Sequence, residues 1–247
     1  MKNFGIFILL TAIFILSPGW KLSAGSRDDR EEEHARSRMR FKGHWTGLEL
    51  GFNNYVTSEN SLSLPPAIDY MTLHSGKSSN FNLNFVQLSL GMSRHFGIVT
   101  GLGITWNNYR FDGNNNITKG ANGMIVKLDP GDLLEKSKLA TIFLDLPILL
   151  ELQIPADDHH LNIAAGPIWA LKLRSHSKMV FENEDVVKDN GDFSLNMLRY
   201  GATARIGYKN FQIYGTYYWT PLFETSKTPG GYNLYPCEIG LAFTFNH

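Results

Sequence analysis

The sequence predicts an all-β fold, an eight-stranded antiparallel transmembrane β-barrel with short periplasmic turns and long extracellular loops. Three observations carry that expectation. Eight segments after the N-terminus alternate apolar and polar side chains with a period of two. Several exceed about 10 residues, whereas soluble strands centre on about 5 to 6 and a tilted membrane-crossing strand needs about 9 to 11. The connections alternate short and long, which gathers the short turns at one end.

The N-terminus differs from everything after it. Lys2, the apolar stretch Phe4 to Leu16 and the small-residue site Leu22-Ser23-Ala24 read as a signal peptide over residues 1–24, with the mature chain starting near Gly25. The apolar run is short for a membrane helix, and Pro18 and Gly19 follow it. Ser26 stands where a lipid-anchored chain would carry cysteine, so no anchor is expected. Residues 25–42 mix both charges densely and read as a solvated periplasmic leader, leaving 43–247 for the barrel. The single cysteine, Cys237, leaves no internal disulfide and reads as a small strand side chain. The 23 basic and 23 acidic residues cancel, so no nucleic-acid partner is expected.

The segments follow in order. In "HWTGLELGFNNYV", Thr46, Leu48, Leu50 and Phe52 oppose Gly47, Glu49, Gly51 and Asn53. "FVQLSLGMSRHF" sets Val86, Leu88 and Leu90 against Gln87, Ser89 and Gly91, and "GIVTGLGITWNNYRF" sets Leu102, Ile104 and Trp106 against Gly101, Gly103 and Thr105. "TIFLDLPILLEL" carries Asp145, Pro147 and Glu151 on one parity and Ile142, Leu146 and Leu150 on the other. Pro147 removes one ladder hydrogen bond, so a bulge or local distortion is expected there. "HLNIAAGPIWALKLR", "LNMLRYGATARIGY", "FQIYGTYYWTPLF" and "YPCEIGLAFTFNH" complete the eight. In each, the apolar parity is assigned to lipid. The other parity, mostly Gly, Asn, Thr and Ser with charges of both signs, suits the inside of a narrow closed barrel.

The short links are "RHFG", "IPADDHH" and "YKN"; the long ones cover 57–80, 112–138 and 175–194, with a Gly-rich link at 227–233. An even strand number returns both chain ends to the short-turn side.

At the fourth segment "FLDLPILLEL" resembles a strand of the PorT-like outer-membrane β-barrel family of Bacteroidetes-type bacteria. "NIAAGPIWAL" is similar to that family's following strand and "CEIGLAFTF" to its closing strand. The resemblance covers residues 43 to 247 and describes strands rather than chemistry. It implies an eight-stranded outer-membrane barrel without catalytic residues, some relatives serving in secretion of cell-surface proteins. Glu151 departs from the pattern, so lumen charge is not carried over from it.

Little in the sequence demands chemistry. Asp157, Asp158, His159 and His160 have metal-ligating side chains, but adjacent turn residues rarely converge on one ion, and an ordinary turn is expected. Glu49, Asp145, Glu151, Lys172, Arg199, Arg205 and Glu238 share the lumen parity and are expected to pair across the interior and plug it, with a proton path or small pore as the alternative. Asn116-Ile117-Thr118 within "DGNNNITKG" reads as a flexible loop tip rather than a glycosylation site. Trp106, Tyr109, Tyr217, Tyr218, Trp219 and Tyr235 are candidates for interfacial girdles. His44, His74, His95 and His176 are scattered, and none pairs with a serine by sequence.

No catalytic residue, cofactor or metal is therefore expected. The expected partners are outer-membrane lipid and lipopolysaccharide, together with a cell-envelope protein or surface glycan at the long loops. Two alternatives stay open: a soluble lipocalin-like barrel with its apolar parity turned inward around a ligand, and a lipid-modifying enzyme.

Overall fold

Period-two alternation gives each strand two chemically distinct faces, and the chain satisfies both by closing the sheet on itself. The computed structural model describes residues 41–156 and 159–245. Eight long strands form a ring: β1 (Gly47–Val56), β2 (Ser79–Gly91), β3 (Phe96–Arg110), β6 (Leu134–Ala156), β7 (His159–Phe181), β9 (Leu198–Tyr208), β10 (Phe211–Tyr218) and β11 (Tyr235–Thr244). Their order is β6-β3-β2-β1-β11-β10-β9-β7, and the β6–β7 pairing closes it. Every pairing is antiparallel. Closure removes the sheet edges, so no row of ladder donors and acceptors in the ring is left open. No helix among the described residues is long and apolar enough to cross a membrane.

Three shorter strands lie outside the ring. β4 (Asn116–Lys119) and β5 (Ile125–Leu128) make a separate hairpin, and β8 (Val186–Asp189) extends the sheet along the far end of β7. The sheet therefore holds nine strands, of which eight close.

Parity decides which way the ring faces. Leu50 is 66% exposed and its neighbour Glu49 2%. The same contrast holds for Leu150 and Glu151, Ile239 and Glu238, and Ile206 and Arg205. The apolar parity points outward, which removes the lipocalin-like alternative, since that reading required it to line a cavity.

Several expectations need correction. β6 and β7 run 23 residues each, so residues 134–138 and 175–181, expected as loop, are strand. Alternation continues there, with Ser175, Ser177 and Met179 inside and His176 and Lys178 outside, but both parities are polar enough to hide the period. At Pro147 the expected local distortion is present but is not a bulge: pairing with β3 lapses between Thr100/Ile148 and Gly103/Asp145 and resumes in the same register. The Pro147 carbonyl accepts instead from Thr100 Oγ1 at 2.6 Å. The register shifts fall elsewhere, between Asn84 and Val86, between Leu134 and Lys136 and between Ile142 and Phe143. Residues 116–119 are a strand rather than a loop tip. Asn116 and Ile117 are buried, and Asn116 Oδ1 accepts from Ser177 Oγ at 2.9 Å.

Phe41, within the expected leader, is buried inside the ring. The expected signal peptide and residues 25–40 of the expected leader lie outside the described residues, as do Asp157 and Asp158.

Candidate functional site

The interior is layered, and each layer follows from which strands bring inward-facing residues to the same height. At the short-turn end the chain entering β1 turns into the ring. Gly43 N–H donates to Ser89 Oγ at 3.0 Å, Trp45 N–H to Gln87 Oε1 at 2.6 Å, and Gln87 Nε2 returns a bond to the Gly43 carbonyl at 2.9 Å. Gln153 Nε2 donates to the Lys42 carbonyl at 2.6 Å. Glu151 accepts the His44 N–H at 2.9 Å and faces His44 Nδ1 at 2.6 Å. Phe41 and Trp45 then pack with Val99, Phe143 and Leu149. Gly101 makes room for Trp45, since a Cβ there would lie 2.6 Å from the indole and 2.0 Å from the Val86 carbonyl oxygen.

Above this, Glu49 is surrounded by donors. Arg205 Nη1 reaches Oε1 at 3.0 Å, Asn84 Nδ2 the same oxygen at 2.6 Å, and Asn82 Nδ2 the other at 2.7 Å. The Arg205 guanidinium lies 4.6 Å from the Trp45 ring centroid, so the polar layer rests directly on the indole of the segment entering β1. Gln212 Nε2 extends the network to Asn162 Oδ1 at 2.6 Å.

Higher still, the Arg199 guanidinium is held between two rings, 3.8 Å from the centroids of both Phe143 and Tyr218. Its Nη2 stands 3.5 Å from Glu238 Oε1, which also accepts from Asn107 Nδ2 at 3.1 Å. Asp145 accepts from Thr105 Oγ1. Asp145 and Arg199 flank the same small residue, Ala170, on adjacent strands.

Over the far mouth the long loops fold into an apolar lid. Ile68, Met71 and Leu73 meet Ile117 and Ile125 from the β4–β5 hairpin, Phe193 and Leu195, and Leu222, Phe223 and Leu234. A burial of this kind explains why the loops carry so many large apolar residues.

Of the residues expected in a lumen network, Glu49 with Arg205 and Arg199 with Glu238 are brought together as ion pairs. Glu151 pairs with His44 rather than with a basic strand residue. Lys172 reaches the lid, its Nζ donating to the Leu195 carbonyl at 2.9 Å, because the ladder with β9 ends one residue earlier, at Leu171. Tyr109 and Tyr218 are buried in the interior and are not girdle residues, both falling on the inward parity. Tyr217 and Tyr235 do stack outside, with centroids 6.4 Å apart, and Tyr200 packs on the exposed Trp219. A second aromatic row, Phe211, Phe243 and Phe245, sits at the short-turn end. No group of three metal-ligating side chains occurs among the described residues, and no described histidine ring bonds a serine.

The contacts of the leader were missed from sequence. Phe41 and Trp45, large apolar residues at the end of a charged run, were the available signal.

No curated protein matches the chain. Residues 35–226 match the outer membrane protein beta-barrel domain, which is more than half of the sequence. The ring of eight antiparallel strands, with its apolar outside and charged inside, is therefore the core of a member of the outer membrane protein β-barrel domain family.

Proposed function

We propose that this outer-membrane protein spans the membrane as a closed, non-conducting barrel that presents its long-loop end to the cell exterior as an interaction surface for a cell-envelope protein. The observation that carries the reading is the filled lumen under a packed lid. Trp45, Arg205, Tyr214, Arg199 and Tyr218 occupy the interior in succession, which supports a lumen closed to transport. What remains for function is the outer surface of the lid and of the β6–β7–β8 extension, whose tip forms an open notch at Asp132, Leu133, Phe181, Glu182 and Asn183. Leu133 there is 62% exposed, whereas Ile117 and Ile125 of the same loop are buried.

The resemblance of the Asp145–Glu151 strand and its neighbours to the PorT-like family supports a role linked to secretion or surface assembly. A photo-crosslinking residue at Leu133 or Glu182 in intact cells tests this. A discrete envelope-protein adduct from both positions, absent from a residue placed at Leu241 on the apolar belt, is expected. Only lipid adducts from all three would overturn it.

A further inference from the structure

Four cations occupy one row across four neighbouring strands at the long-loop end. Arg110 on β3 is paired with Lys138 on β6, Lys138 with Lys178 on β7, and Lys178 with Lys188 on β8. Directly paired antiparallel residues put their side chains on one face, with Cβ atoms about 4.5–5.5 Å apart. The face is the outer one, because the flanking residues Tyr109, Ser137, Leu139, Ser177 and Met179 are all buried inside. Lys136, Arg174 and His176 widen the patch from the adjoining outward positions of β6 and β7.

None of these cations makes an ion pair among the described residues. Their partners are neutral: Arg110 donates to the Glu135 carbonyl at 2.9 Å, Lys138 to Asn108 Oδ1, and Arg174 to Asn190 Oδ1 at 3.3 Å. Like charges placed directly opposite destabilise a sheet. The strain is visible in the Lys138 ammonium, which lies beyond the apolar belt and is held below its ordinary pKa by burial, then by Lys178, Lys136, Arg110 and Lys188. His176 is lowered in the same way, by burial and then by Lys138, Arg174, Lys188 and Lys178. An array that repels itself is stabilised by an anion.

Its height identifies the anion. Arg110 lies four residues beyond Trp106, which pairs with Ile142 at the upper edge of the outward apolar surface. At about 3.3 Å per residue and a tilt of about 40°, that is roughly 10 Å above the belt's edge, at the outer side of the headgroup layer. The row spans four strands, roughly 14 Å at about 4.8 Å spacing, long enough to meet two phosphates on a disaccharide.

We propose that the outward row Arg110, Lys138, Lys178 and Lys188 binds the phosphorylated glycolipid headgroup of the outer leaflet, lipopolysaccharide, with the acyl chains lying on the apolar belt below. This rests on the transmembrane reading and its orientation, and assigns the lipid partner to specific residues.

The test uses the full mature chain folded in detergent and titrated with bis-phosphorylated lipid A, with dephosphorylated lipid A and with inorganic phosphate. The wild type should prefer the phosphorylated lipid, and K138Q/K178Q should bind it roughly 20- to 30-fold more weakly, since each surface cation contributes about 1 kcal/mol of attraction. R110Q/K188Q, which keeps the central pair, should lose affinity comparably and serves if the first variant folds poorly. Equal affinity of wild type and variants, or equal affinity for the dephosphorylated lipid, would overturn the proposal. Inorganic phosphate binding as tightly as lipid A would overturn the lipid source. The heat-dependent gel shift of the same preparations reports the closed barrel separately, so failure of that reading is distinguishable from failure of the charge row.

Discussion

Arg205 on β9 and Glu49 on β1 meet inside the barrel at 3.0 Å, 156 residues apart in sequence. The two strands are not neighbours, since β10 and β11 lie between them, so the pair bridges the interior rather than a ladder. Both side chains are almost wholly buried. Removing one partner of a buried pair leaves the other charge uncompensated, at about 3–5 kcal/mol, whereas an apolar pair of similar volume is often neutral.

Arg205→Met should therefore lower stability by about 3 kcal/mol or more, and Glu49→Met combined with Arg205→Met should recover most of it. Denaturant unfolding in detergent, read by the gel shift of the folded form, measures both. A double variant no better than the single would show that Asn82, Asn84 and Gln212, not the ion pair, hold this layer.

The docked leader makes a second expectation. Gln87, Ser89, Glu151 and Gln153 supply its side-chain acceptors and donors, so Gln87→Ala with Glu151→Ala should release residues 41–46 while the ring stays closed. Limited trypsin digestion at Lys42, followed by mass spectrometry, should run at least several-fold faster in the variant. Unchanged cleavage would mean that Phe41 and Trp45 hold the leader by packing alone.

The lid should come apart without the barrel. Ile68 is fully buried among loop residues, and Ile→Ala in such a site costs about 2–5 kcal/mol. Ile68→Ala should make residues 57–78 sensitive to protease added to intact cells, with the heat-dependent shift of the barrel unaltered. Loss of both together would show lid and ring to be one cooperative unit.

Acid should loosen one seam of the lid. Lys119 Nζ donates to Asp192 Oδ1 at 2.8 Å, and this bond, followed by that of the Ser194 N–H, holds the Asp192 carboxyl below its ordinary pKa. A carboxyl depressed by folding contributes stability that is complete above its unfolded pKa and is lost as pH falls through the lowered value. The pair is exposed, so the contribution is a few tenths of a kcal/mol. Hydrogen exchange at the Ser194 amide should accelerate below the ordinary carboxylate range in the wild type and be insensitive to pH there, beyond the intrinsic exchange trend, in Asp192→Asn.

The sequence by itself determined the number of ring strands, their parity and the alternation of short and long connections. Period-two patterning is local, and a strand such as Leu48–Asn53 states its two faces within six residues. It could not say which face looked outward, because periodicity is the same for a ligand-filled barrel and a lipid-facing one. Closure decided that, placing Glu49 at 2% exposure and Leu50 at 66%. Closure also decided the partners of charge. Glu151 finds His44 and Lys172 finds a loop carbonyl, because which inward residues share a height depends on strand register and on where each strand leaves the ring. The lid and the cation row were invisible for the same reason. Ile68, Ile117 and Phe193, like Arg110, Lys138, Lys178 and Lys188, come from segments far apart in sequence and become one surface only when the ladders set their registers.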